Sequence, residues 1–329
     1  MFKTGYKNNI GLFVIAIVFA FLSQTVFAAG ERDPNFGTGG RVNINFGRNV
    51  NLARAAVLQT DGKIVIVGES GDSVFGNTSI AVARLNTDGS LDATFGSNGL
   101  VLTNFTANVM GDRATTVAIQ SDGKIVVGGS APVISQNSRR DVFAIARYNP
   151  NGSLDTSFGA GGKVFTDLPD DFSEIVAKIL IQSDGRIIAI GETELPNHDS
   201  TIIMVRYKPN GVEDNEFRQI SRAYVKYPVD AGFNDATLQP PNDDILIAGQ
   251  FYYTYSNCGP PTICQGGVPF LTRFNQDLIL DRKFGRRRGV EFGAVWDEFR
   301  SISTLPDGRL AVAGRRIRRF NANGLLKVF

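Results

Sequence analysis

About every sixty residues this chain repeats a short polar turn between two apolar runs, and that repetition constrains its fold more than any other feature. The turn reads Gln59-Thr60-Asp61-Gly62-Lys63-Ile64, Gln120-Ser121-Asp122-Gly123-Lys124-Ile125, Gln182-Ser183-Asp184-Gly185-Arg186-Ile187 and Leu305-Pro306-Asp307-Gly308-Arg309-Leu310, with a worn copy at Gln239-Pro240-Pro241-Asn242-Asp243-Asp244-Ile245. A single unit of this size cannot bury its own apolar faces, so the units must stack on one another.

Apolar stretches enter and leave each turn, as in Ala55 to Gln59 followed by Ile64 to Gly68. Asp-Gly between such runs is a hairpin signal, and a type I′ turn is expected because it needs positive φ at both central residues. A third strand follows, at Ile80–Leu85, Phe143–Tyr148, Ile202–Tyr207, Phe270–Phe274 and, shortened, Ile317–Phe320. A fourth is read before each hairpin, at Arg41–Phe46, Gly99–Phe105, Gly162–Asp167, Arg222–Tyr227 and Gly289–Phe292. Four antiparallel strands per unit, with apolar residues on both faces, match the blades of a β-propeller. An open β-solenoid would repeat at a shorter period. The fold class is therefore all-β, a β-propeller of five four-stranded blades.

The connector between units is the second half of the signature: Asn86-Thr87-Asp88-Gly89-Ser90-Leu91-Asp92-Ala93-Thr94-Phe95-Gly96, and again Asn149 to Gly159. Weaker copies run from Asn210 to Phe217 and from Asn275 to Phe284. The C-terminus begins another at Asn321 but carries Lys327 where the aspartate belongs, while Asp33-Pro34-Asn35-Phe36-Gly37 is a second half with no first half. The chain thus starts in the phase in which it ends, as expected if both ends meet at the seam of a closed ring.

With Gln-x-Asp-Gly-Lys-Ile-x-x-x-Gly and Ala-Arg-Tyr-Asn-x-Asn-Gly-Ser-Leu-Asp-x-x-Phe-Gly in hand, the chain resembles the delta-60 repeat of exported bacterial proteins. The resemblance covers nearly everything after the first thirty or so residues. It implies a propeller fold and carries no settled biochemical activity. The chain departs from the pattern at the eroded fourth turn and at Arg218, which replaces a connector glycine.

Residues 1–28 read as an export signal: Lys3 and Lys7, an apolar run from Gly11 to Leu22, then Val26-Phe27-Ala28 before a cleavage that leaves Ala29 first. An uncleaved anchor would need about 20 uninterrupted apolar residues, and Ser23, Gln24 and Thr25 break the run. Residues 29–329 are then a single propeller domain, secreted or periplasmic, with no membrane span after cleavage. The chain's net charge of +2 loses two lysines with the signal and balances at 2 − 2 = 0, which argues against a nucleic-acid partner. Cys258 and Cys264, the two cysteines, are expected to form a local disulfide in an oxidising compartment, the alternative being free thiols. Two cysteines without neighbouring histidines leave a metal unfilled. No cofactor is implied.

An arginine recurs on every third strand, as Arg84, Arg147, Arg206, Arg273 and Arg319, and an aspartate recurs in the connectors, as Asp92, Asp155, Asp214 and Asp281, with Asp33 as the fifth. These read as structural ion pairs that lock loop to strand, rather than as a ring of ligand-binding charges, because charges removed from water are normally paired. Arg319 is expected to meet Asp33 across the seam. Oxygen-rich connectors such as Asn86-Asp88-Asp92 hint at calcium, yet turn chemistry explains every residue in them.

Catalysis has little to draw on. His198 is the sole histidine, and no nucleophile elbow appears. Asp112, Glu174, Asp235 and Glu298 stand near the starts of the second strands and suggest a carboxylate set facing a channel. The turn-and-connector face repeats, whereas the opposite loops vary: Ser70 to Ser79, Ser130 to Asp141, Thr193 to Thr201 and the long Phe251 to Pro269. Variable loops on a rigid scaffold are where binding resides. The candidate ligand face is the aromatic set Phe251, Tyr252, Tyr253, Tyr255 and Trp296, whose alternative is a small core under a long loop. An arginine-rich edge, Arg286 to Arg288 with Arg315, Arg316, Arg318 and Arg319, offers an anionic surface a contact or is a solvated rim. The resulting expectation is a monomeric, non-catalytic binding or structural module for a protein or glycan of the cell envelope. The alternatives are a lectin and a glycoside hydrolase using the channel carboxylates.

Overall fold

A computed structural model of the chain describes residues 31–73, 76–105, 111–135, 138–167, 173–194, 200–215, 222–225, 231–255, 264–286, 289–293 and 298–325. Within these, all regular structure is β. The first sheet holds β1 (Val50–Leu58), β2 (Ile64–Ser73), β3 (Gly76–Leu85) and β4 (Leu100–Thr103), and the second β5 (Arg113–Ile119), β6 (Ile125–Ser135), β7 (Ser138–Tyr148) and β8 (Lys163–Thr166). The third holds β9 (Glu174–Ile181), β10 (Ile187–Glu194), β11 (Ser200–Tyr207) and β12 (Arg222–Val225), and the fourth β13 (Ala231–Gln239), β14 (Asp244–Tyr255), β15 (Cys264–Phe274) and β16 (Val290–Phe292). A fifth sheet has three strands, β17 (Ser301–Thr304), β18 (Leu310–Ala313) and β19 (Ile317–Phe320). Every sheet is an antiparallel meander in chain order.

This order corrects one expectation. The short strand after each connector pairs back onto the third strand before it, as Ala83 on Leu100 and Ala146 on Lys163, and so closes the preceding sheet instead of opening the next. The cause is the connector itself. The Arg84 N–H donates to the Gly99 carbonyl and the Gly99 N–H to the Phe95 carbonyl, which folds the chain back alongside β3. Arg41–Phe46 has no preceding third strand to pair with and forms no strand, only a bridge from Gly37 to Arg41.

The hairpin turns differ from the expected type as well. Gly62, Gly123, Gly185 and Gly308 have φ of +83°, +81°, +85° and +78°, but the aspartates before them do not have positive φ. Gln59 accepts from the Gly62 N–H and donates to the Lys63 carbonyl, the pattern of a type I turn followed by a left-handed residue. The Asp61 carboxylate accepts the Lys63 N–H at 3.1 Å, so the side chain closes the turn and no second left-handed residue is required. Asp243, at φ +55°, takes the glycine's place in the worn fourth turn.

Alternate residues along each strand face opposite neighbours. Val65, Val67, Ile80 and Val82 pack with Ile125, Val127, Ala144, Ala146 and Tyr148 of the second sheet. Phe143 and Ile145 meet Ile187, Ala189, Ile203, Val205 and Tyr207 of the third. Ile188, Ile190, Ile202 and Met204 meet Ile245, Ile247 and Phe270 of the fourth, and Leu246, Ala248 and Leu271 meet Leu310, Val312 and Phe320 of the fifth. The core is thus a series of sheet-on-sheet layers. Among the described residues no apolar cluster joins the fifth sheet to the first. The first sheet leaves a groove of about 470 Å³ lined by Ile64, Ile66, Ala81, Ala83 and Leu85, with Val42, Ile44 and Phe46 at its rim.

Candidate functional site

The recurrent arginines and aspartates build one junction, repeated between neighbouring sheets. Arg84 Nε donates to Asp92 Oδ2 at 2.8 Å, Arg147 Nε to Asp155 Oδ2 at 2.9 Å and Arg273 Nη2 to Asp281 Oδ2 at 2.6 Å, while Arg206 Nε lies 3.0 Å from Asp214 Oδ2. Each guanidinium of the first, second and fourth sheets also lies over a connector phenylalanine, 4.6 Å from Phe95, 4.5 Å from Phe158 and 5.0 Å from Phe284. A cation over an aromatic face, with a carboxylate at its edge, is doubly compensated for leaving water.

The arginines then reach past their own sheet. Arg84 donates to the Pro150 carbonyl, Arg147 to that of Pro209, Arg206 to that of Gln276 and Arg273 to that of Ala322. Beside them the Gly96 N–H donates to the Asn151 carbonyl, Gly159 to Asn210 and Gly285 to Asn323. The turn glutamine joins in: Gln239 accepts from Arg273 and donates to the carbonyls of Gly308 and Ala322. This cross-sheet use of arginine, glutamine and connector glycine is not apparent from the sequence. Its one sequence signal is the recurrence of the three residue types in phase.

Burial pushes the Asp155 carboxyl upward, but bonds from Ser157 and Lys124 and the Arg147 charge outweigh it and leave the group at about 2. Asp92 is held well below the usual carboxylate range in the same way, burial being outweighed by bonds from Thr94 and Lys63 and by the charge of Arg84. The connector oxygens counted as possible calcium ligands serve the turn: Asp88 Oδ1 accepts both the backbone N–H and the hydroxyl of Ser90.

At the seam the expected pair does not form. Asp33 and Arg319 are both exposed. The Asp33 carboxylate accepts the Asn35 N–H at 2.9 Å, and the Gly37 N–H donates to the Asp88 carbonyl at 2.7 Å. Residues 33–37 therefore occupy, against the first sheet, the place that the connectors ending at Gly96, Gly159 and Gly285 take against the next. Arg319 stands on the outer face of the fifth sheet, which has no neighbour on that side among the described residues.

The opposite end of the sheets carries the variable hairpins, and here the aromatic set divides. Phe251 to Tyr255 belong to β14 and not to a loop, because the β14–β15 pairing runs out to Tyr255 on Cys264. Phe251 is buried and stacks on Phe270 at 4.3 Å with Phe292 beside it, so it is core and not ligand face. Tyr252 is 44% exposed. The side chains of Tyr253 and Tyr255, the Cys264 thiol, Cys258, Trp296 and His198 lie outside the described residues, as do residues 1–28, read above as an export signal.

Of the four carboxylates suggested for a channel, Asp112, Asp235 and Glu298 each hold partners of their own. Asp112 Oδ2 accepts the Phe105 N–H at 2.6 Å and Asp112 is buried, as is Glu174. Asp235 takes Lys178 at 2.7 Å on one oxygen and the Ser301 hydroxyl and Ile302 N–H on the other. Glu298 takes Arg300 at 2.5 Å and lies 3.7 Å from Arg315. Among the described residues no group of three or more His, Cys, Asp or Glu could hold a metal ion, and no helix is long and apolar enough to cross a membrane.

Tandem antiparallel sheets, four of them four-stranded, packed face to face and joined by a recurring junction, are like those of a β-propeller. Residues 59–95, 120–158 and 182–217 match the family model described as "Domain of unknown function (DUF5122) beta-propeller". Three of the chain's repeats thus match a β-propeller model. No curated protein matches it. Among solved structures it is similar to the α-L-arabinofuranosidase Arb93A of Fusarium graminearum in complex with an iminosugar inhibitor, at 12% identity and a TM-score of 0.41 over 80% of this chain and 87% of that one. A mutant of the same enzyme gives a TM-score of 0.40 at the same identity and coverage. It is also similar to PorZ, a surface component of the type-IX secretion system of Porphyromonas gingivalis, at 8% identity and a TM-score of 0.22 over 81% of this chain and 50% of that one. Neither likeness carries an activity to this chain.

Proposed function

We propose that the chain is an exported, non-catalytic β-propeller, monomeric, whose five sheets are the blades of one domain over residues 29–329 and which binds a protein or glycan of the cell envelope through its variable-hairpin end. The division of labour between the two ends carries this reading. At the connector end, arginine, glutamine, aspartate and glycine are consumed by junctions that repeat from sheet to sheet. At the other end the hairpins differ in reach, β6 and β7 running to Ser135 and Ser138, β14 and β15 to Tyr255 and Cys264, and β10 and β11 only to Glu194 and Ser200. Binding surfaces vary where the scaffold does not. Glycan arrays and envelope pull-downs with the chain from Ala29, compared with Tyr252→Ala, test it. Salt-resistant binding that the substitution weakens supports the reading, and binding seen only at low salt sinks it.

Ring closure belongs to the same proposal. The first sheet's open face and the fifth sheet's missing fourth strand are complementary, and Arg41–Phe46 follows Gly37 as Leu100 onward follows Gly96. By the register of Val82 on Val101, closure would pair Val42 with Ile317. Cysteines at those two positions should oxidise to a disulfide within a monomer; failure to cross-link in the folded protein rules the closure out.

A further inference from the structure

Four sheets carry a β-bulge at the same point of their first strand. The register shifts around Arg54, Thr115, Ala177 and Asn234, each opposite a glycine of the second strand: Gly68, Gly129, Gly191 and Gly249. A bulge turns its extra residue out of the ladder. In the first sheet that residue is used. Arg54 donates from Nε and Nη2, both at 2.6 Å, to the two carboxylate oxygens of Glu69, which follows Gly68. The corresponding pairs are Thr115 with Ser130 in the second sheet and Asn234 with Gln250 in the fourth, neutral on both sides.

The third sheet breaks the pattern. Glu192 follows Gly191 as Glu69 follows Gly68, but the bulge residue is Ala177, so the acid is present without the guanidinium. Glu192 is half-buried, and its Oε1 accepts the Phe233 N–H of the fourth sheet. Burial pushes its carboxyl above the ordinary range. Beside it lies Tyr252: its ring rests on Gly232, the neighbour of Phe233, where an added Cβ would meet the ring at 2.8 Å. Burial and then the charges of Glu192 and Glu298 push the Tyr252 hydroxyl up. Among the described residues the nearby cations are engaged elsewhere, Lys178 with Asp235, and Arg300 and Arg315 with Glu298.

We propose that Glu192 and Tyr252 form a seat for one guanidinium group brought from outside the chain, the carboxylate taking the place that Glu69 has toward Arg54 and the ring offering its face. A planar donor fork suits a carboxylate bidentately and stacks on an aromatic ring, which an ammonium does less well. The proposal rests on the variable-hairpin end being the binding end and names the chemistry it receives. The guanidinium has two sources, a free small molecule and an arginine of a partner polypeptide, and the probes separate them.

The test is a titration followed by NMR with N-acetyl-arginine amide, its neutral isostere N-acetyl-citrulline amide, and a hexapeptide with one central arginine. Saturable binding of the arginine probe is expected, at least tenfold weaker for citrulline and at least tenfold weaker in Glu192→Gln. The hexapeptide binding more tightly than the amide identifies a polypeptide source, and equal binding a small molecule. Ala177→Arg should fill the seat from within, abolish probe binding and raise the melting temperature by about 1–2 °C, the scale of one favourable ion pair in a chain of this size. No saturable binding, equal affinity for citrulline, or undiminished binding in folded Ala177→Arg overturns the seat. Envelope or glycan binding that survives Glu192→Gln would overturn the seat while leaving the binding-module reading intact.

Discussion

Asp155→Asn isolates the energetics of one junction. The carboxyl sits at about 2 in the folded chain against 3.8 for the free group. At about 1.4 kcal/mol per unit, that difference is worth about 2.5 kcal/mol of stability at neutral pH. Because the folded value is the lower one, the contribution is complete above about pH 4, falls to about half near pH 3 and is lost as pH drops through about 2. Asparagine keeps the shape and the acceptor for the Ser157 N–H but removes the charge that faces Arg147 and Lys124, at 2.9 and 3.2 Å. Arg147 is buried, and a buried cation robbed of its anion costs about 3–5 kcal/mol when nothing else compensates. The Pro209 carbonyl and the Phe158 ring remain, so a loss of about 2–3 kcal/mol at pH 7 is expected. Urea unfolding of both chains at pH 7, 4 and 3 measures it. A deficit under about 0.5 kcal/mol at pH 7, or one as large at pH 3 as at pH 7, would refute the argument.

Gly152 has φ +87°, and a Cβ there would meet the Gly96 nitrogen at 2.8 Å and the Phe95 ring at 3.0 Å, whereas Gly161, at φ +62°, faces open space. Gly152→Ala should therefore lower the melting temperature well beyond the change from Gly161→Ala, which bears only the left-handed penalty of about 1–2 kcal/mol. Phe158→Ala removes a fully buried ring and the face under Arg147; a loss of about 3–5 kcal/mol is expected in denaturant titrations. Gln239→Leu deletes the bonds to Gly308, Ala322 and Arg273, and hydrogen exchange should quicken in β17 to β19 before any other sheet. Tyr148→Phe leaves Thr103 without its 2.8 Å bond in a buried site and should cost about 1 kcal/mol by thermal melting.

Local chemistry accounts for what was legible in the residues alone. Asp-Gly turns, β-branched runs and the eight-residue spacing from Arg84 to Asp92 or Arg147 to Asp155 act within one hairpin and its connector, so the sheets, their hairpins and their own ion pairs follow from the repeat. The aromatic run at Phe251 was harder to read, because alternation along a lengthened strand sends one residue into the core and the next toward solvent, and the sequence does not show where the strand ends. Other features depend on residues that meet only when sheets stack. Arg84 reaches Pro150 across 66 positions, Gln239 reaches Ala322 across 83, and the strand after each connector joins the sheet behind it. The vacancy at Ala177 has meaning only beside Arg54 in the same bulge of another sheet. Repetition by itself determined the unit and its internal bonds, since those are set by neighbours in the chain. The tertiary structure alone decided which carbonyl each arginine meets and which acid has no cation among the described residues, since those depend on side chains brought together by packing.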